Sequence, residues 1–250
     1  MAAFLASLLT FFSGFGLGTI LTPVFALVFP IEIAVAQTAI VHFFNNLFKL
    51  TLLGKYMNKK IILHFGIPAI LGALGGAYLL LQMAGEEPVF TYFIREKEFF
   101  VTPLKLIIAL LIFLFSLLEL FPKRFSFFPN HLSLLAGGMT SGFFGGLSGH
   151  QGALRSAFLI RYNLSKEEYI STGVAIACLI DITRIALYIS HFSRFGFSEN
   201  YLPALIALLS AFAGALLGNQ LLKKTTYGFV KALTHALLII IAAALGMGLI

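Results

Sequence analysis

Eight long apolar segments dominate this sequence of 250 residues, and the short intervals between them hold most of its charged side chains. The segments cover approximately residues 1–29, 31–53, 60–83, 103–121, 132–162, 166–191, 201–222 and 228–250. About 20 consecutive apolar residues are enough for a helix to cross the hydrocarbon core of a bilayer. With 59% hydrophobic residues and a mean hydropathy of +0.97, the chain lies well outside the range of soluble domains. The pattern predicts an all-α, polytopic membrane protein.

The composition also excludes several classes of function. The single cysteine, Cys178, excludes an internal disulfide and a thiolate metal cage, and the six histidines show no metal-binding spacing. We therefore predict neither a metal nor a cofactor. The net charge of +7 is dispersed over short loops, which is typical of a topology signal rather than of a nucleic-acid surface. The sequence contains no Gly-x-Ser-x-Gly elbow, no pair of membrane aspartates and no His-Glu-x-x-His motif, so it does not predict an enzyme.

Glycine interrupts two of the apolar segments. Residues 13–19 are SGFGLGT, and residues 141–151 are SGFFGGLSGHQ. Each glycine costs a helix about 1 kcal/mol, and non-helical backbone at membrane depth is tolerated only where it is buried in protein or lines a cavity. Both runs are therefore predicted to be broken helices at a binding site. By contrast, Gly72, Gly75 and Gly76 have near-helical spacing and are predicted to let helices pack closely.

The two halves of the chain resemble each other at a shift of 135 positions. The shift places Pro68-Ala69 on Pro203-Ala204, Asn46 on Asp181 and Lys49 on Arg184. The Gly-rich runs align at a shift of 128, so the second run is about seven residues longer. Because an internal duplication leaves this pattern, we predict a first transmembrane repeat over 1–121, a cytoplasmic linker over 122–131 and a second repeat over 132–250. The interval 84–102 is predicted to be an exposed extracytoplasmic loop with room for a short interfacial helix.

Basic residues predict how the broken segments lie in the membrane, because cytoplasmic loops carry an excess of lysine and arginine. If each broken segment is re-entrant, nine loop bases share the cytoplasmic face and three lie opposite. The nine are Lys55, Lys59, Lys60, Lys123, Arg124, Arg161, Lys166, Lys223 and Lys224, and the three are Arg95, Lys97 and Arg194. If the broken segments cross the membrane, the count is six against six. We therefore predict two inverted repeats, each a broken re-entrant helical hairpin followed by three transmembrane helices.

These features resemble a known family. A Gly-rich broken segment opens each half, a helix with embedded polar residues follows it, and a third helix carries Pro-Ala and several glycines over residues 68–77. This order is similar to that of the TauE/SafE family of sulfite and organosulfonate exporters, over essentially the whole chain. The resemblance implies a multi-pass carrier in the cytoplasmic (inner) membrane of a bacterium or archaeon that moves small sulfur oxyanions outward.

The two breaks are the predicted binding site for such an anion. A half-helix that begins inside the protein presents unpaired N–H groups and the positive end of its dipole, and side-chain donors nearby complete the coordination. The predicted substrate-binding residues at the breaks are Gly16, Gly18, Thr19, Ser141, Gly145, Gly146, Ser148, Gly149, His150 and Gln151. We expect the second run to dominate substrate choice, because it is longer and carries more polar side chains.

The helix after the first break adds a polar stripe. Thr38, His42, Asn45 and Lys49 are spaced by four, three and four residues, so they share one helical face that should point toward protein or water. We include Thr38, His42 and Asn45 among the substrate-binding candidates. His42 either couples protons or bonds a neighbouring helix, and Lys49 is either an interfacial anchor or part of the substrate path.

Four residues are candidates for a gate or an ion path: Asn46, Lys49, Asp181 and Arg184. Asp181 and Arg184 lie three residues apart and can pair on their own helix. This pair is either structural or a gate that opens when Asp181 is protonated or when substrate competes for Arg184. The inversion directs Arg184 toward the face opposite Lys49, which would give each mouth of the path one cation.

The favoured interpretation is a secondary transporter that exports small sulfur-containing anions, such as sulfite or sulfoacetate, by alternating access. A passive anion channel and a carrier for another small anion are the alternatives. The expected partners are the anionic substrate and the lipid bilayer, without nucleic acid. Coupling to protons and a homodimer are both compatible with the sequence. A cation carrier is disfavoured because Asp181 is the only acid well inside a span.

Overall fold

Helices account for most of the structure. The computed structural model describes residues 17–120, 130–192, 201–221 and 227–250, which contain nine α-helices. They are α1 (Leu17–Ala26), α2 (Ile31–Leu53), α3 (Lys59–Met83), α4 (Pro103–Leu120), α5 (His131–Ser148), α6 (Gly152–Leu159), α7 (Lys166–Phe192), α8 (Tyr201–Leu221) and α9 (Tyr227–Gly246). A short 3-10 helix, Gly54–Tyr56, follows α2. The helices follow the predicted apolar segments, so the prediction of a mainly helical chain is confirmed.

Three helices in the described part of the chain are long and apolar enough to cross a bilayer. They cover Ile31–Tyr56, Lys59–Met83 and Lys166–His191. Shorter apolar helical stretches cover Leu17–Ala26, Pro103–Leu118, Leu205–Gly214 and His235–Gly246. One buried cluster of apolar side chains involves α1, α2, α4 and α9, and a second lies among α3, α5, α6 and α7.

The all-α prediction is wrong for the interval 84–102, which forms a β-hairpin instead of a loop with an interfacial helix. Strand β1 (Phe90–Ile94) pairs antiparallel with β2 (Lys97–Val101). Aromatic and β-branched residues favour strands, and the rings of Tyr92 and Phe99 stack across the pair with centroids 5.4 Å apart. The Tyr92 hydroxyl also donates to the Met247 carbonyl over 2.6 Å. This bond fastens the hairpin to the end of α9.

Helices α3 and α5 pack with their backbones in close contact, through small residues spaced by four. A methyl group at Gly138, Gly142 or Gly146 would collide with the carbonyl oxygens of Phe65, Ala69 or Ala73, respectively. The contacts advance together along both chains, so the two helices are parallel. Small residues at this spacing let membrane helices approach closely.

The glycines of α3 complete the same interface. A methyl group at Gly72 would collide with the Met139 carbonyl, and one at Gly76 with the Phe143 carbonyl. The packing prediction is therefore confirmed for Gly72 and Gly76, whereas Gly75 makes only an ordinary contact with the Phe143 ring. The interface also explains why glycine is dense between residues 138 and 146 while α5 continues unbroken to Ser148.

Three further pairs of helices determine which residues meet in the interior of the protein. Helix α2 runs antiparallel to α7, because His42 meets Asp181 while the Asn58 amide, after the end of α2, donates to Thr172 Oγ1 over 2.9 Å. Helix α4 runs antiparallel to α9, because Ser116 meets His235 at one level and Ala109 meets Gly246 at another.

Helices α5 and α6 fold back on each other, since the Tyr162 hydroxyl after α6 donates to the Asn130 carbonyl before α5 over 2.7 Å. The turn between α5 and α6 therefore lies inside the protein.

Candidate functional site

A break of three residues, Gly149 to Gln151, separates α5 from α6. Gly149 ends α5 with φ of +82°, and its amide donates to the Gly145 carbonyl over 3.0 Å. Glycine adopts this left-handed conformation without the steric cost that a side chain brings. The sequence predicted a broken helix within residues 141–151, and α6 begins directly after this run, at Gly152. The prediction that Gly145 and Gly146 lie in non-helical backbone is wrong, because both belong to α5.

Helix α1 contacts this break directly. A methyl group at Gly18 would lie 3.0 Å from the Gly149 carbonyl oxygen and 3.6 Å from the Thr38 methyl carbon. A methyl group at Gly149 would lie 3.4 Å from Thr22 Oγ1. Segments from both Gly-rich runs and from α2 thus meet at one point. Thr19, on α1, is buried as well, and the predicted residue Gly16 lies outside the described residues.

A buried carboxylate, Asp181 on α7, organises the surroundings of the break. Its Oδ2 atom accepts a hydrogen bond from His42 Nδ1 on α2 over 2.6 Å. Its Oδ1 atom accepts from Arg184 Nη2 over 2.8 Å, from Arg184 Nε over 3.0 Å and from Gln151 Nε2 over 3.1 Å. Charge-assisted bonds of this kind are the strong ones in a protein interior. They join α2, α7 and the break into one network.

The ion pair between Asp181 and Arg184, suggested by their spacing, is present in this network. Arg184 is fully buried, and its Nη1 atom donates to the Gly145 carbonyl over 3.2 Å. The same atom would lie 3.1 Å from a methyl group on Gly149. The expectation of one cation near each mouth is therefore replaced by an arginine at the break itself. Lys49 is buried near the end of α2.

The polar stripe on α2 is buried, as its spacing indicated. Thr38, His42 and Asn45 are each at most 2% exposed. His42 bonds the neighbouring helix α7, which is the structural alternative that we gave for it. Because Nδ1 of His42 donates to Asp181, its Nε2 atom accepts from Asn46 Nδ2 over 3.2 Å. His42 therefore holds α2 against the network around Asp181.

Several predicted donors of the second run are engaged within the protein. Ser141 Oγ donates to the Gln151 carbonyl over 3.0 Å, and Ser148 Oγ donates to the Phe144 carbonyl over 2.9 Å. The side-chain nitrogen of Gln151 bonds Asp181, and its side-chain oxygen accepts from Arg155 Nη1 over 3.2 Å. These contacts brace the break.

Three polar atoms around the break have no hydrogen-bond partner among the described residues: Thr22 Oγ1, Thr38 Oγ1 and His150 Nε2. All three side chains are at most 1% exposed. A buried polar group without a partner costs free energy. These atoms are therefore the ones at the break that a bound ligand would satisfy.

Sequence reasoning missed two of the residues that surround the break. Arg155 is buried in α6 and bonds Gln151, and an arginine inside an apolar segment carries the same functional signal that drew attention to Lys49. Thr22 gave no such signal, because a threonine in an apolar helix is common. Only the approach of α1 to Gly149 identifies it.

Positive charge exceeds negative charge in the protein interior. Among the side chains that the structure describes as buried, Lys49, Arg155 and Arg184 are basic, whereas Asp181 alone is acidic. With neutral histidines, this gives a formal charge of +2 from three bases and one acid. Buried charges are retained where they are paired or serve a function. An anion is the ligand that this excess favours.

The fold and the site define a helical membrane protein with a buried, cation-rich break between helices. The family model described as sulfite exporter TauE/SafE matches residues 1–245. The chain therefore belongs to the TauE/SafE sulfite exporter family, as its sequence features suggested, and it is a membrane transporter rather than an enzyme. Among curated proteins and solved structures, none matches the chain.

Asp181→Asn should destabilise the protein by about 3–5 kcal/mol, because it leaves the buried Arg184 without its carboxylate. The double variant Asp181→Asn with Arg184→Gln should be less destabilised than the sum of the two single variants, by about 1–3 kcal/mol. Chemical denaturation in detergent micelles measures both quantities. Glu98→Gln, on an exposed strand, is the control and should have little effect. Additive losses in the double variant would contradict the network.

Proposed function

We propose that this protein exports small sulfur-containing anions, such as sulfite or sulfoacetate, as a secondary transporter that works by alternating access. The substrate binds at the break between α5 and α6, where α1, α2 and α7 converge. The observation that carries this proposal is a pair of buried arginines, Arg155 and Arg184, beside the helix break. Among the described residues, one buried acid, Asp181, offsets their charge. The membrane in which it works is the cytoplasmic membrane of a bacterium or archaeon.

Two further features favour an anion over a neutral ligand. The first turn of α6 begins at the break, and the first amide groups of any helix have no partner within it and carry a partial positive charge. The hydroxyl groups of Thr22 and Thr38, which lack partners among the described residues, can donate to an oxyanion. Oxygen atoms of a sulfite or sulfonate group accept such bonds without needing a donor from the substrate.

Asp181 acts as the competitor of the substrate for Arg184. In the structure Arg184 donates two hydrogen bonds to Asp181 and one to the Gly145 carbonyl. An arriving anion draws the guanidinium toward the break and weakens its hold on Asp181. Asp181 also binds His42 on α2. Substrate binding at Arg184 therefore alters a contact with the first half of the chain. Such a competition is one way to couple binding to a change between two states.

The architecture that we propose is a pair of inverted repeats, over 1–121 and 132–250, with a re-entrant hairpin at the start of each. The directions of the described helices support it. Helices α2 and α7, which correspond in the repeat, are antiparallel, and so are α4 and α9. The return of Tyr162 to Asn130 supports entry and exit of the second hairpin on one face. In secondary transporters, such repeats enclose a site at the bilayer midplane.

Cysteine labelling tests this topology. In a Cys178→Ala background, Lys59→Cys and Glu167→Cys should react with a membrane-impermeant maleimide from the same, cytoplasmic side, and Lys97→Cys from the opposite side. All three positions are exposed, so each should be reactive. If the segment from α5 to α6 crossed the membrane, Lys59→Cys and Glu167→Cys would be labelled from opposite sides, and the re-entrant proposal would fail.

Replacing the hydroxyl groups at the break tests the site. Thr22→Val and Thr38→Val should each weaken sulfite or sulfoacetate binding by about tenfold, because a hydrogen bond to a charged ligand is lost. Neither change removes a hydrogen bond within the described protein, so the unliganded protein should keep its stability. Thermal stabilisation of the purified protein by sulfite, sulfoacetate, sulfate, thiosulfate, taurine and chloride gives the affinities.

The matched control is Thr183→Val, because the Thr183 hydroxyl already donates to the Leu179 carbonyl over 2.7 Å. It should leave anion binding unchanged. Stabilisation by none of the anions would contradict the proposed function. Stabilisation that survives both Thr22→Val and Thr38→Val unaltered would move the site away from the break.

A further inference from the structure

His150 is the third residue at the break with an unpartnered atom, and its hydrogen bonds fix which ring nitrogen carries a proton. Nδ1 lies 2.9 Å from the Ser148 carbonyl oxygen and 3.1 Å from Ser148 Oγ. A carbonyl oxygen can only accept, and the Ser148 hydroxyl gives its own proton to the Phe144 carbonyl. Nδ1 of His150 is therefore the donor. In the neutral ring, Nε2 is then a hydrogen-bond acceptor.

The surroundings favour the neutral ring. The only acidic side chain among the described buried residues, Asp181, is already bound to His42, Gln151 and Arg184. The adjacent residue, Gly149, lies against the Arg184 guanidinium. A further buried positive charge on His150 would lack a counter-charge among the described residues and would be costly. His150 thus brings an acceptor, not another donor, into a site that is otherwise rich in donors.

The ring is also held in place. His150 stacks on the ring of Phe115 from α4, with centroids 6.1 Å apart and planes 22° apart. Together with the bond from Nδ1 to the Ser148 carbonyl, this contact fixes the direction of Nε2. The side chain is 1% exposed, and Nε2 has no partner among the described residues. A fixed, buried acceptor without a partner selects ligands that supply a donor.

We infer that the transported anion carries its own O–H group, which donates to His150 Nε2 while its charged oxygens face Arg184 and the threonine hydroxyls. Hydrogensulfite and hydroxyalkyl sulfonates have this chemistry, whereas sulfate and simple alkyl sulfonates lack it. Of the two substrates named above, the inference therefore favours sulfite, as hydrogensulfite, over sulfoacetate, whose carboxylate and sulfonate groups only accept hydrogen bonds. This inference rests on the proposed function and restricts its class of substrates. It distinguishes a hydroxyalkyl sulfonate from an alkyl sulfonate of the same charge by one hydrogen bond. A substrate without the donor leaves the buried acceptor unsatisfied.

A matched pair of ligands tests the inference on the unaltered protein. Hydroxyethanesulfonate and propanesulfonate have the same charge and the same number of heavy atoms, and differ in a hydroxyl against a methyl group. Thermal stabilisation in detergent should show that hydroxyethanesulfonate binds about tenfold more tightly or better. Equal binding of the two would overturn the inference while leaving the anion site intact. Binding of neither, nor of sulfite, would overturn the proposed function itself.

Two substitutions assign the preference to His150. His150→Asn keeps a donor near the position of Nδ1 but removes the acceptor at Nε2, so it should bind both sulfonates equally. His150→Gln places an amide oxygen near the position of Nε2 and should retain the preference for hydroxyethanesulfonate. If His150→Asn keeps the preference for hydroxyethanesulfonate, a group other than His150 binds the hydroxyl, and the assignment to His150 is wrong.

Discussion

The hydrogen bonds to the Asp181 carboxylate hold the interior of this protein together. In an apolar interior an unpaired carboxylate is very costly, so its partners must stay within bonding distance. Those partners come from three places: His42 on α2, Gln151 at the break and Arg184 on α7. One belongs to the first half of the chain and two to the second. A movement that separates α2 from α7 must therefore break or exchange the bond between His42 and Asp181, which makes that bond the natural point of control for the alternating access that we propose.

Four of the glycines between residues 137 and 149 fall into two groups with different roles. Gly138, Gly142 and Gly146 lie in α5 and allow its backbone to touch that of α3. Gly149 alone supplies the left-handed residue that ends α5. The first group holds α5 against a long apolar helix, and the second turns the chain inside the protein. A site formed in this way has helix ends, backbone carbonyls and arginines close together among buried side chains.

Much of the fold could be predicted from the sequence, because the constraints of a bilayer are simple. Long apolar segments must be helical, and a polar stripe such as Thr38, His42 and Asn45 must be buried. The break after Ser148 was also predictable. Its extent was not, because glycine lowers helix propensity equally whether it serves packing or a turn. Gly146 could be assigned to packing only once Ala73 was seen against it.

The sequence predicted the outline of the site but not its details, because it indicates contacts between neighbours on one helix and not contacts between distant segments. Spacing on one helix indicated the pair of Asp181 and Arg184, since residues three apart are neighbours. The bond from His42 to Asp181 joins residues 139 positions apart, and no local pattern reveals such a contact. Strand pairing over 90–101 was likewise hidden, because short aromatic stretches between membrane helices are compatible with loops, helices and strands alike. Thr22 became visible only through its position against the break.

Counterflow of labelled sulfite in proteoliposomes tests most directly whether the cation-rich break binds and moves an anion. With unlabelled sulfite trapped inside, the account predicts saturable uptake of external label that the internal sulfite accelerates. Gly149→Ala should abolish this uptake, because alanine is strained at φ of +82° and its methyl group would lie against Arg184. Uptake that rises linearly with concentration and does not depend on the internal sulfite would contradict the account. Uptake that persists in Gly149→Ala would contradict it as well.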